Sequence, residues 1–201
     1  MPVTNVHILI VDDDQPIRSS LSHIFQSLGY FVRSASDGFS ALREIRSQLP
    51  DILLSDLDMA GMSGFELLSI VRRRFPSIHV IAMSGMFSGD GVHPGIAADS
   101  FHEKATSVPH LLKLVKAGEQ PTRTLPFHRE DPSTPIWIPK NGHDSSGVAF
   151  ITLTCPDCLR TFAEVTAEDG EYMHEAKCVH CTTRIRYAVV PQPGAAFSIP
   201  Y

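Results

Sequence analysis

The 201 residues are 43% hydrophobic and 19% charged, with a formal charge of −5. That balance is ordinary for a globular chain and excludes both a disordered tail and a polycation built around nucleic acid. No apolar run approaches the roughly 18–20 residues of a spanning helix, and MPVTNVHILIVDDD has no basic stretch before its apolar run meets acids. Neither a membrane partner nor a secretion signal is therefore expected, and a cytoplasmic location follows as the default.

Residues 6–118 alternate short apolar runs with amphipathic stretches, the pattern of βα units around a parallel sheet. Strands are expected at 6–11, 30–35, 51–55, 78–83 and 99–102, and helices at 16–28, 38–48, 64–74 and 107–117. The first helix has both boundary signals, Pro16 in its first turn and Gly29 after its end. The fourth connection, MFSGDGVHPGIAAD, holds three glycines and a proline, so its helix is expected to be short, distorted or missing.

Prolines 121, 126, 132, 135 and 139 mark residues 119–147 as a semi-extended linker. Within it, IWIP carries the only tryptophan, Trp137, which reads as packing on a neighbouring domain, with a partner-docking motif as the alternative. Residues 148–201 then read as short strands around two cysteine knuckles, giving units 1–118, 119–147 and 148–201.

Chemistry concentrates where strands end. ILIVDDDQPIR runs an apolar strand directly into Asp12, Asp13 and Asp14, and DILLS ends at Asp56. Adjacent carboxylates repel unless they are solvated or share a cation. Asp14 suits a helix N-cap, whereas Asp12, Asp13 and Asp56 suit Mg²⁺, which takes few carboxylates, several waters and a phosphate oxygen. Ser84 in VIAMSG and Lys104 in SFHEKAT lie at two further strand ends and could bind phosphoryl oxygens, with Asp56 as the nucleophile that forms an acyl phosphate.

The Asp12–Asp13 pair, Asp56 in D-x-x-M-x-G-M-x-G, Ser84 and Lys104 stand in the order and spacing that resemble the receiver domain of bacterial two-component response regulators, the CheY-like family. The resemblance implies a flavodoxin-like α/β fold with a five-stranded parallel sheet of order 2-1-3-4-5. It also implies phosphorylation of Asp56 by a sensor histidine kinase or phosphotransfer protein with Mg²⁺. By the same resemblance, the Asp58 backbone carbonyl completes the metal site, and Phe101 is the aromatic switch that couples with Ser84 to the fourth-strand face. Receivers usually carry proline where this chain has Ala60 and Ala105. A cis bond before a non-proline residue costs about 2.5–4 kcal/mol, so the Lys104–Ala105 bond is expected to be trans.

Cys155-x-x-Cys158 and Cys178-x-x-Cys181 are separated by 19 residues, within the range for a four-cysteine zinc site. The pattern resembles a zinc ribbon, with Leu159 and Thr182 where glycine often follows the second cysteine. Four thiolates complete the coordination of Zn²⁺, so His174 and His180 read as non-ligands. From residue 145 onward, six acids against four bases leave net −2, which disfavours nucleic acid without excluding it.

These readings converge on a phosphorelay response regulator whose zinc-ribbon module engages an output protein that the sequence does not name. The alternatives are a transcription regulator using the ribbon on DNA, a non-phosphorylated pseudo-receiver scaffold, and a redox sensor built on the cysteine pairs. No residues suggest a metabolic enzyme. The only expected catalysis is the switch's own phosphorylation and dephosphorylation.

Overall fold

The computed structural model describes residues 5–86, 95–104, 106–119, 135–139, 142–143, 149–165 and 173–190. The chain forms two compact units, Met1–Glu130 and Asp131–Tyr201.

The first unit is built on a parallel sheet of five strands: β1 (His7–Val11), β2 (Phe31–Ala35), β3 (Ile52–Asp56), β4 (His79–Ser84) and β5 (Ser100–Glu103). Their order is β2-β1-β3-β4-β5, the flavodoxin-like arrangement. Strands β1 and β3 are neighbours in register, Val11 beside Ser55. The chain leaves β1 toward one edge and β3 toward the other, so a crevice opens between their C-terminal ends. That topology sets Asp12 beside Asp56.

Helices α1 (Gln15–Ser27), α2 (Gly38–Ser47), α3 (Gly64–Arg74) and α4 (Val108–Gly118) connect the strands and cover the sheet. On one face Ile8, Ile10, Ile52, Leu54, Ile81 and Met83 pack with Phe25 of α1 and with Leu111 and Val115 of α4. The alternate strand residues Leu9, Leu53 and Val80 are equally buried on the opposite face, the mark of a sheet covered on both sides. Local signals set the helix ends. Asp14 accepts the Ile17 N–H at 3.0 Å, confirming its capping role, Asp37 and Ser40 form a capping box, and Gly29 leaves α1 with φ 90°. In α3, every residue from Gly64 to Val71 is buried.

Between β4 and β5, residues 87–94 lie outside the described residues, and 95–99 contain no helix. Asp99 fastens this return. Its carboxylate accepts the Val80 N–H at 2.8 Å and meets Arg72 at the end of α3 at 2.8 Å.

The second unit contains β6 (Ile136–Ile138), β7 (Gly142–His143), β8 (Ala149–Thr154), β9 (Thr161–Val165), β10 (Met173–Lys177) and β11 (Arg184–Val189). They form two three-stranded sheets, ordered β10-β11-β6 and β7-β8-β9. Of the expected linker of 119–147, residues 120–134, 140–141 and 144–147 lie outside the described residues, and the described parts include two strands. Ile136–Ile138 pairs in parallel with β11, and residues 142–143 pair antiparallel with β8. The reason is the alternation of IWI, which proline counting overlooks: Ile136 and Ile138 are 1% and 0% exposed, and Trp137 between them is half-buried. Burying two isoleucines contributes about 3–6 kcal/mol. Fixing three residues costs about 3–6 kcal/mol, so β6 is held by a narrow margin.

Candidate functional site

Asp12 and Asp56 lie at the C-terminal ends of β1 and β3 and are 0% and 5% exposed, while Asp13 is exposed at the rim. Lys104, just beyond β5, reaches across the crevice. Its Nζ lies 2.8 Å from Asp56 Oδ2 and 2.9 Å from Asp12 Oδ2. Ser84 ends β4, where its carbonyl accepts the Lys104 N–H at 2.9 Å. Its Oγ accepts the Met86 N–H at 3.0 Å, which leaves the hydroxyl hydrogen to serve a second partner. Asp12, Asp56, Ser84 and Lys104 thus stand at adjacent strand ends along one edge of the sheet.

Electrostatics follow from burial. Desolvation pushes the Asp56 carboxyl above its usual range, opposed by the hydrogen bond and charge of Lys104 and reinforced by Asp12; the Asp58 N–H also donates to it. Burial pulls Lys104 down, but its bonds to Asp56 and Asp12 outweigh that and raise it, so it remains an ammonium. Asp12, Asp13 and Asp56 each offer an oxygen within 4.8 Å of the others. Opposite ligands of an Mg²⁺ octahedron stand about 4.2 Å apart, so three carboxylates gathered this closely are the kind of oxygen donor set the ion takes, with small side-chain adjustment. Asp12 Oδ2 is buried with the Lys104 ammonium 2.9 Å away, and its remaining lone pairs would accept a divalent ion.

Phe101 is 5% exposed on β5, inside the fold rather than on its surface. The Lys104–Ala105 bond falls outside the described residues. Sequence reading missed three supports. Arg18, in the first turn of α1, donates to the Asp12 carbonyl at 2.6 Å, a contact that no short-range spacing rule predicts. The Ala60 N–H reaches Asp13 Oδ2 at 3.4 Å, and proline at that position would have no such donor. The third is Gly64, where a Cβ would stand 1.9 Å from the Asp56 carbonyl oxygen. No side chain fits there.

In the second unit, Cys155 and Cys158 follow β8, and Cys178 and Cys181 follow β10. Each pair sits in a closed knuckle. In the first, the Cys155 N–H donates to the Arg160 carbonyl and its own carbonyl accepts the Leu159 N–H; in the second, the Cys178 N–H donates to the Thr183 carbonyl and its carbonyl accepts the Thr182 N–H, while the His180 N–H donates to Cys178 Sγ at 3.4 Å. The four sulfurs lie within 4.8 Å of one another, with Cys155–Cys181 at 3.6 Å and Cys158–Cys178 at 3.7 Å. With Zn–S bonds of about 2.3 Å, a tetrahedral edge is about 3.8 Å, so the donor set fits zinc.

Burial pushes the Cys155 thiol up to about 12, while Thr183 hydrogen bonds bring Cys181 down to about 6. The His180 ring nitrogen faces the Thr161 carbonyl at 3.1 Å, and His174 stacks on Tyr187, consistent with neither being a ligand. Thr183 Oγ1 donates to Asp157 Oδ2 at 2.8 Å, a bridge between the two knuckles that spacing alone does not reveal.

Comparison with known proteins agrees with the first unit. Residues 8–115, more than half of the chain, match the response regulator receiver domain. The chain belongs to the response regulator receiver family. Among curated relatives, the nitrogen assimilation regulatory protein NtrX of Azorhizobium caulinodans is 32% identical over 127 residues, 61% of this chain and 27% of that protein. Response regulator MprA of Mycobacterium ulcerans is 31% identical over 115 residues, 56% of this chain and 50% of that protein. The chain therefore spans half or less of these two relatives.

Among solved receivers, response regulator TrrA of Thermotoga maritima, in complex with Mg²⁺ and BeF, is 29% identical with a TM-score of 0.52, covering 56% of this chain and 98% of that one. TrrA bound to histidine kinase ThkA aligns with a TM-score of 0.53 at 28% identity, covering 57% and 99%. The receiver unit is a two-component signalling module. No helix among the described residues is long and apolar enough to cross a membrane.

Proposed function

We propose that Asp56 is the phosphoacceptor of a cytoplasmic switch, charged by a sensor histidine kinase or phosphotransfer protein, and that the four-cysteine unit is a zinc-ribbon output module for a partner protein. The observation that carries this reading is the Lys104 ammonium bridging Asp12 and Asp56 beside a carboxylate triad able to hold a divalent ion. One Asp56 carboxylate oxygen forms a bond to phosphorus as the bond to the donor imidazole breaks, its electron pair leaving with the imidazole nitrogen. Lys104 stays charged through the transfer and stabilises the charge on the phosphoryl oxygens. The Ser84 hydroxyl donates to the same group, and Phe101, buried on the neighbouring strand β5, would couple that change to the fourth-strand face.

Mg²⁺, held by Asp12, Asp13, Asp56 and the Asp58 carbonyl, would neutralise the incoming phosphoryl charge. In the output unit Cys155, Cys158, Cys178 and Cys181 would hold Zn²⁺, whose binding to thiolates couples metal affinity to folding. No turnover of a metabolite is part of this reading. Catalysis is limited to the chain's own phosphorylation and hydrolysis.

The test is labelling by a small phosphodonor with Mg²⁺, read by intact-protein mass. Wild type should gain one phosphoryl group and Asp56→Asn none. Equal labelling of the two proteins would place the acceptor elsewhere, and no labelling of wild type would favour a pseudo-receiver.

A further inference from the structure

Strand β11 lies between β10 and β6, and among the described residues its β6-facing edge is filled by three residues of the same chain. Ile136, Trp137 and Ile138 stand beside Tyr187, Ala188 and Val189, and the Val190 N–H donates to the Ile138 carbonyl at 2.8 Å. Two backbone-paired aliphatic side chains, both buried, are what this edge recognises. Pro135 and Pro139 bracket the segment and offer no N–H, so the ladder cannot lengthen through either residue's donor. Parallel pairing is also slightly weaker per residue than antiparallel pairing. No short turn secures β6, since β7–β10 separate it from β11 in the chain.

We propose that the edge of β11 is a strand-acceptor groove for an extended partner peptide with branched aliphatic residues at alternate positions, and that Pro135–Pro139 is an internal occupant which that partner displaces. Tethering gives the internal strand an effective concentration of about millimolar, so the groove stays closed to weak ligands. A partner strand that pairs over more residues overcomes it. This groove belongs to the second unit and does not depend on phosphorylation of Asp56.

The test uses the full chain with Ile136→Ser and Ile138→Ser, which removes both anchors of the internal strand. The probe is a fluorescein-labelled peptide, PSTPIWIPKN, followed by anisotropy. The variant should bind it at least about tenfold tighter than wild type, and a peptide with serine at both isoleucine positions should not compete. A variant that keeps the Tyr187 and Ala188 amide signals yet takes up no peptide overturns the proposal. So does filling of the edge by a second copy, seen as a dimer in size-exclusion chromatography. Should the variant fail to fold, wild type titrated with PSTPIFIPKN decides, because Trp137 is the only tryptophan. A saturable red shift of its emission supports displacement, and an unchanged spectrum at about millimolar peptide overturns it.

Discussion

Thr182 and Leu159 adopt φ 64° and 57°, the left-handed region where a β-carbon is disfavoured by about 1–2 kcal/mol. Both follow the second cysteine of a knuckle, so the tight turn is kept without the glycine that would suit it. Thr182 is exposed and β-branched, and little packing is lost on its removal. Thr182→Gly should therefore stabilise the zinc-loaded unit by about 0.5–1 kcal/mol, after the greater chain entropy of glycine is subtracted. Chemical denaturation with zinc present measures it; a loss of stability would mean that the Thr182 side chain holds the knuckle.

His102 presents a titration at the same scale. It is 5% exposed on β5, its Nδ1 3.3 Å from His110 Nδ1 and 3.4 Å from Thr106 Oγ1. Burial, then the neighbouring His110, lowers it from 6.5 to about 4. The unfolded chain takes up this proton near pH 6.5 and the folded chain only near pH 4, so stability falls as pH drops through that window. The contribution is about 3 kcal/mol at most. Melting temperatures between pH 7 and 4 should decline more steeply for wild type than for His102→Gln, and parallel curves would show that His102 is not the group responsible.

Helix α3 shows how an element can position a reacting group. Ser63 caps it, Gly64 begins it, and the absence of a Cβ at Gly64 lets the helix start against the Asp56 carbonyl. Gly64→Ala would drive a methyl group into backbone, which cannot yield as a flexible side chain does. We expect a loss of about 1–3 kcal/mol and slower labelling of Asp56, since the end of β3 must shift. Thermal melting and the phosphodonor assay read the two effects separately; unchanged values in both would show that α3 can slide without moving the acceptor.

Strand β6 illustrates the opposite relation between sequence and element. Its prolines suggest a linker, yet the three residues between Pro135 and Pro139 find a sheet edge supplied by β11, some 46 residues later. Local composition carries no information about so distant a partner.

At the scale of the molecule, the proposed zinc site would give the two units different sources of stability. The receiver unit buries aliphatic residues on both faces of a five-stranded sheet. The second unit has two small sheets around four cysteines, and in such sites metal affinity is coupled directly to folding, with apparent values of about 10–16 kcal/mol. Chelation should therefore melt the second unit and leave the first folded, seen as selective loss of the amide signals of β8–β11. Persistence of those signals in metal-free protein would remove zinc from the account and favour a dithiol role for the cysteines. A fragment beginning at residue 145 lacks β6 and β7, so it should be less stable than one beginning at residue 131 even when loaded.

The sequence by itself determined the parallel βα unit, the strand-end residues Asp12, Asp13, Asp56, Ser84 and Lys104, the Asp14 cap and the paired knuckles. Each of these is written in periodicity or in short spacing, which local geometry translates directly. Only the tertiary structure decided that Lys104 holds both buried carboxylates, that Gly64 is required by the Asp56 carbonyl, that Asp157 and Thr183 join the knuckles, and that a proline-flanked triplet is a strand. Those contacts join residues brought together by crossovers and sheet edges. Their energies depend on burial and on partners distant in the chain, neither of which a local pattern encodes.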